Sequence, residues 1–161
     1  MNIYLIRHSD SEGISKGLKD PERRLTPEGE IKIRNASLFW KNIIPEFDYI
    51  ISSPYLRALQ TAKIIASVFN HKKEILVDKR LGCGSETDSL IEILNSLQSS
   101  DTAIVGHQPD LSYHLSRLIS GANISAEFKK CTIAKISFNN KVREGKGVLE
   151  FLVPPGFFIS R

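Results

Sequence analysis

A chain of 161 residues, 41% hydrophobic and 25% charged, has the size and composition of one soluble globular domain with a single sizeable core. It contains no apolar run approaching the length of a membrane span, and the opening Ile3-Tyr4-Leu5-Ile6 is too short for a signal peptide, so a cytoplasmic protein is expected. The net charge of +4 includes short, scattered clusters such as Arg23-Arg24, Lys72-Lys73 and Lys129-Lys130 without interleaved aromatics, which argues against a nucleic-acid surface, while a mildly positive field suits an anionic ligand.

In chain order, residues 2–6 read as a buried strand. After a polar loop, Thr26-Pro27 predicts a helix start, with a side-chain oxygen at the N-cap and proline at the first helical position. The helix should run to about Ile44, with Ile33, Ala36, Phe39 and Trp40 on one face, until Pro45 stops it. Tyr49-Ile50-Ile51 marks a second strand over 48–52. Ser53-Pro54 repeats the helix start, and Ala58, Ala62, Ile65, Ala66 and Phe69 give that helix a packed face. A third strand is predicted over 74–77, a loop over 82–87, and a helix over 88–97 carrying Leu90, Ile91, Leu94 and Leu97. A fourth strand over 102–106 and a helix over 110–119 follow. Residues 132–138 and 148–153 read as two strands joined by a polar, glycine-containing turn, ended by Pro154-Pro155.

Alternation of strand and helix predicts an α/β fold in three layers, α/β/α, around a mostly parallel sheet, with the closing hairpin as an antiparallel C-terminal edge. No repeat, low-complexity tract or linker divides residues 1–161, which are expected to form a single domain. Cys83 and Cys131 are the only cysteines, far apart, and are expected to be reduced and unpaired; with no nearby histidine, neither suggests a structural zinc.

Ligands in such sheets bind just beyond the carboxyl ends of the strands. Three of these ends carry unusual residues: Arg7-His8 after the first strand, Arg57 within "SSPYLRALQTA" after the second, and His107 within "VGHQPD" after the fourth. Two arginines, two histidines and a helix start around one crevice suit a phosphoryl group. Arginine offers paired planar donors for its oxygens, a helix start adds partial positive charge, and a histidine can act as nucleophile or donor. A lone histidine or arginine at a strand end ordinarily serves packing or solvation; coincidence at three ends is what separates these residues from that background. His71, in a loop, and His114, inside a helix, lack the placement and read as structural.

The segments "LIRHSDS", "ISSPYLRALQTA" and "VGHQPDLS", with "RRLTPEGE" and "FKKCTIAKISF", resemble in order and placement the signature segments of the histidine phosphatase superfamily, the phosphoglycerate-mutase-like fold. The small size and the ending at Pro154-Pro155 look most like the SixA-type phosphohistidine phosphatases. The resemblance implies that His8 is a nucleophile that takes the phosphoryl group, and that Arg7, Arg57 and His107 are catalytic and bind the phosphate. Two departures accompany it. Ser9 stands where the family usually has glycine, and its hydroxyl is a candidate phosphate contact. The segment "RLGCGSETD" is also too short for the lid that carries a general acid in larger members, which leaves Glu86 and Asp10 as candidates for that acid. The expected activity is hydrolysis through a covalent phosphohistidine, without metal or organic cofactor, on protein phosphohistidine. The alternatives are a phosphatase for small phosphorylated metabolites, or a phospho-ligand binding module without turnover. Neither nucleic acid nor membrane is expected as a partner.

Overall fold

The computed structural model describes residues 1–14 and 17–157. Each apolar run read as a strand forms one: β1 (Asn2–Arg7), β2 (Tyr49–Ser52), β3 (Leu76–Val77), β4 (Asp101–Gly106), β5 (Ile133–Ser137) and β6 (Val148–Val153). They make one sheet in the order β3-β2-β4-β1-β5-β6. The first four of that order are mutually parallel, and β5 pairs antiparallel with both β1 and β6, so the hairpin forms the expected edge.

Buried parallel strands must be apolar on both faces, and here each face has its own core. Tyr4 and Ile6 of β1, Ile50 of β2 and Val105 of β4 pack with Ile33, Ala36 and Trp40 of α1 (Pro27–Trp40) and with Ala58, Ala62 and Ile65 of α2 (Leu56–Phe69). The alternate residues Ile3, Leu5, Ile51 and Ile104 pack with Leu90 and Leu94 of α3 (Thr87–Asn95), with Leu111, Leu115 and Leu118 of α4 (Asp110–Ile119), and with Phe128. The result is the three-layer α/β/α arrangement.

The strand order positions the site. The chain lays β1, crosses through α1 to β2, continues to the edge strand β3, and returns to place β4 between β2 and β1. The ends of three strands distant in sequence therefore lie side by side: Arg7 is in register with Gly106, and Ser52 with Val105.

Several boundaries differ from expectation, each for a local reason. The helix α1 stops at Trp40 rather than Ile44. Asn42 and Ile43 donate to the carbonyls of Phe39 and Trp40, a tightened last turn that draws Ile44 into the core ahead of Pro45. Its buried stripe is Gly29, Ile33, Ala36, Ser37 and Trp40, which leaves Phe39 partly exposed. Thr26 caps it as read, its Oγ1 accepting from Gly29 N at 3.1 Å. The helix α2 begins at Leu56, with Tyr55 at the N-cap and no side-chain cap, so Ser53-Pro54 does not start it. The strand β3 shrinks to two residues, paired only through Ile51–Leu76 and Ser52–Val77. No helix among the described residues is long and apolar enough to cross a membrane.

Candidate active site

The backbone that carries Arg7 and His8 leaves the sheet between β4 and the segment before β5. His8 N donates to Gly106 O at 3.1 Å, and Cys131 N donates to Arg7 O at 3.2 Å. The next turn lies against the start of α1, where Gly29 is required: a Cβ there would sit 2.1 Å from Asp10 O. Ser9 is wholly buried. Its N–H goes to Thr61 Oγ1 at 3.1 Å and its hydroxyl to Gly29 O at 2.6 Å, while the Cys131 thiol donates to Ser9 Oγ at 3.0 Å. That commitment corrects the reading of Ser9 as a phosphate contact: the hydroxyl is turned inward and holds the turn in place. Ser9 is not among the residues with positive φ, so the tight turn accepts a side chain where glycine is usual.

The His8 ring is almost fully buried, and its two nitrogens have separable roles. Nδ1 lies 2.7 Å from Ser9 O, a carbonyl that can only accept, so Nδ1 carries the proton. Nε2 therefore keeps its lone pair, and Arg57 Nε donates to it at 3.2 Å. Burial, joined by the charges on His107, Arg57 and Arg7 and opposed by the Ser9 hydrogen bond, pushes the His8 pKa down to about 3. The ring is neutral at ordinary pH, with an unprotonated Nε2 whose in-plane electron pair accepts from Arg57.

Arg57, the second residue of α2, is buried at the centre of the cluster. Besides His8 it donates from Nη1 to Asp20 O at 2.7 Å and from Nη2 to Asp20 Oδ2 at 3.0 Å, with Cys83 Sγ 3.6 Å from Nη2 and the Tyr55 ring centroid 4.9 Å from Cζ. Arg7 donates from Nη1 to Phe128 O at 2.6 Å. His107 is buried with its ring centroid 5.2 Å from that of His8, and its Nε2 lies 2.7 Å from Ser53 Oγ. Burial, with Arg57 next, lowers the His107 pKa to about 4. Among the described residues, Arg7 Nε and His107 Nδ1 are buried polar atoms without a hydrogen-bond partner. Buried polar atoms are ordinarily paired, so two unpaired ones in the residues flanking a nucleophilic nitrogen suit an anion held by hydrogen bonds.

The structure thus brings Arg7, His8, Arg57 and His107 together, with Ser9 beneath His8, and leaves Asp10 and Glu86 apart. Asp10 is held by Lys32 at 2.9 Å and Lys130 at 3.0 Å; although burial opposes the shift, these cations keep its pKa below the usual carboxylate range, which unsuits it as a proton donor. Glu86 is exposed at the N-cap of α3 and makes no side-chain cap. Neither forms a hydrogen bond or ion pair with His8, Arg57 or His107. Three participants escaped the sequence reading: Asp20, Ser53 and Thr61. Thr61 alone left a signal, since it stands four residues after Arg57 and so on the same helix face. Asp20, at the head of a 3-10 turn (Asp20–Glu22), meets Arg57 only through tertiary folding.

Residues 82–86 connect directly to α3 and are pinned to α4 through Gly84 N–Asp110 Oδ2 at 2.9 Å, Ser85 Oγ–His114 Nε2 at 2.9 Å and Thr87 Oγ1–His114 Nδ1 at 2.8 Å. A concavity of about 260 Å³ is lined in part by Cys83, Ser85 and Glu86, and its Cys83 Sγ lies 3.6 Å from Arg57 Nη2. His114 is structural, as read. Both cysteines are free, Cys83 exposed and Cys131 buried. No group of three or more His, Cys, Asp or Glu that could hold a metal occurs among the described residues.

Three buried histidines make stability depend on acid. Burial lowers the pKa of His8 to about 3 and of His107 and His114 to about 4, against 6.5 for the free side chain. Between those values the unfolded chain binds more protons than the folded one, so stability is complete above about pH 7 and falls as pH drops from 6.5 toward 4. Urea midpoints measured from pH 8 to 4.5 should be flat at first and then decline steadily, by several kcal/mol in all. A flat profile throughout would contradict the neutral, buried state of these rings.

Comparison with known proteins agrees with this fold. The family model described as histidine phosphatase superfamily (branch 1) matches residues 3–82. An uncharacterized protein of Picosynechococcus sp. is 29% identical over 113 residues, covering 69% of this chain and 68% of its own. The protein histidine phosphatase SixA, solved with tungstate, superposes with a TM-score of 0.87 at 22% identity, covering 98% of this chain and 99% of its own. A phosphoserine phosphatase variant from Entamoeba histolytica, solved with phosphoserine, gives 0.72 at 18% identity over 98% of this chain and 99% of that one. At such identities these two structures speak for the fold.

Proposed function

We propose that this chain, which belongs to the histidine phosphatase superfamily, is a metal-independent phosphatase that works through a covalent phosphohistidine on His8 and acts preferentially on protein phosphohistidine. The observation that carries the reading is the neutral, Nδ1-protonated His8, whose Nε2 lone pair lies against Arg57 Nε, with the partnerless Arg7 Nε and His107 Nδ1 in the residues beside it.

In the first step, the Nε2 pair of His8 forms a bond to phosphorus as the bond from phosphorus to the leaving nitrogen breaks; the leaving imidazole keeps that electron pair and a proton. The His8 ring gains positive charge, which the Ser9 carbonyl accepting from Nδ1 stabilises. In the second step, water attacks phosphorus, the pair returns to Nε2 and inorganic phosphate departs. Arg7, Arg57 and His107 hold the phosphoryl oxygens in both steps, and the two arginines supply the charge that Mg²⁺ would otherwise provide.

The substrate preference rests on the short connection 82–86 and on the leaving group. The short connection 82–86 and the concavity lined by Cys83, Ser85 and Glu86 give a small metabolite few surrounding groups but admit a side chain projecting from a folded protein. Imidazole leaves phosphorus more readily than an alkoxide, so N–P cleavage asks less of a general acid, and neither Asp10 nor Glu86 reaches the cluster. The part-exposed Asp20 carboxylate beside Arg57 places a negative charge at the rim, which favours a substrate ring that is protonated before cleavage and leaves as neutral imidazole.

The deciding experiment compares kcat/KM for a phosphohistidine protein, a phosphotyrosine peptide, phosphoserine and sugar phosphates, each before and after thorough chelation. Phosphohistidine protein should lead, with activity surviving chelation and vanadate inhibiting. A small ester preferred by tenfold or more, about 1.4 kcal/mol, would move the role to metabolite hydrolysis. Loss on chelation that Mg²⁺ or Mn²⁺ restores would overturn metal independence.

A further inference from the structure

The pair Ser53-Pro54 reads in the sequence as a helix start, yet α2 begins three residues after Ser53 and takes no side-chain cap from it. The hydroxyl has another partner. Ser53 is wholly buried; its backbone N–H is tied to Val105 O at 3.0 Å, so it is fixed to the strand from which His107 emerges two residues later. Its Oγ accepts the Tyr55 N–H at 3.3 Å and lies 2.7 Å from His107 Nε2.

We propose that Ser53 is a positioning residue that fixes the tautomer of His107, donating its hydroxyl proton to Nε2 so that Nδ1 carries the hydrogen and serves as the donor to a bound oxyanion. Hydrogen-bond accounting supports this direction. The Ser53 oxygen already accepts from Tyr55, and among the described residues its proton has one acceptor within reach, His107 Nε2. The opposite arrangement, Nε2–H donating to Ser53, would leave a buried hydroxyl proton unpaired, a costly state. It would also leave His107 Nδ1, buried without a protein partner, as a lone pair that repels an anion instead of binding it. The Tyr55 ring, 4.9 Å from that of His107, packs beside the imidazole, and Ser52 Oγ donates to Ser53 O at 2.8 Å, which stiffens the segment. The same short stretch, residues 52–55, therefore holds a histidine contributed by a different strand end.

The role in catalysis rests on the phosphatase reading; the tautomer does not, and the experiment separates the two. Nitrogen-15 NMR of histidine-labelled protein near pH 7.5 should show His107 with its proton on Nδ1 and a bare Nε2. Ser53→Ala should shift the ring toward the Nε2–H form, whereas Ser53→Thr, which keeps the hydroxyl, should restore the wild-type pattern. With phosphohistidine protein, Ser53→Ala should lower kcat about tenfold or more, the scale on which loss of an orienting outer partner acts, with Thr recovering most of it. Wild-type protein with the proton on Nε2, or Ser53→Ala with an unchanged tautomer, would overturn the proposal whether or not the chain turns over substrate. The expected tautomers without turnover of any phosphorylated substrate would leave Ser53 in its role and refute the phosphatase reading alone.

Discussion

Replacing His8 with alanine is expected to abolish turnover, by roughly 10⁴-fold or more, the scale on which loss of a covalent nucleophile acts. The expectation follows from the separate roles of the ring nitrogens. Nδ1 is committed to Ser9 O, and Nε2 keeps its lone pair beside Arg57 in an environment that holds the ring neutral. The neighbouring nucleophiles are less suited: the Ser9 hydroxyl is spent on Gly29 O, the Cys131 thiol is buried against Ser9 with its pKa raised to about 11, chiefly by burial, burial likewise pushes the Cys83 thiol up, and His107 Nε2 is engaged with Ser53. Rapid quenching with labelled substrate should trap phosphate on His8 as a phosphoramidate, stable in alkali and lost in acid, and the label should vanish in His8→Ala. Label on a serine or aspartate, or undiminished activity in the variant, would sink the assignment. Because His8 also contributes to acid sensitivity, the variant should lose less stability than wild type between pH 6.5 and 4.

Replacing Arg57 with alanine should reduce kcat/KM by roughly 10²- to 10³-fold, as when one preorganised transition-state donor is removed. The Nε–H of Arg57 faces the nucleophile itself, so its charge lies where the transferring group must pass. The substitution has a second consequence. Asp20 would lose one of its two arginine partners and stand, with Arg23 alone, as a freer anion at the rim. An anionic substrate should then bind worse, with KM rising as kcat falls, and adding Asp20→Asn in the Arg57→Ala background should recover part of the KM change. Arg57→Lys should fall between, since an ammonium cannot reproduce the fixed fork that reaches His8 Nε2, Asp20 O and Asp20 Oδ2. A loss below fivefold in Arg57→Ala, with the fold intact by circular dichroism, would remove Arg57 from the transition state.

Much of this molecule could be read from local pattern. The doubly apolar runs 2–6, 48–52 and 102–106 are strands because only a sheet covered on both sides buries consecutive Ile, Leu and Val, and residues 110–119 form the helix their spacing predicts. The quartet Arg7, His8, Arg57 and His107 was legible for a related reason: cations and imidazoles stand where apolar strands end, a place where the core gives them no purpose. Other features lay beyond local pattern. Nothing in the residues predicts that β4 inserts between β2 and β1, yet that order alone brings the three ends together. Asp20 is a loop carboxylate like Asp10 until folding sets one against Arg57 and the other between Lys32 and Lys130. Ser53 looks like a cap and Ser9 like a phosphate ligand, because a hydroxyl shows its chemistry in sequence but not its direction. Residue type and periodicity set which elements form and which side chains are chemically able; strand order and hydrogen-bond commitments far apart in sequence set which of those side chains meet.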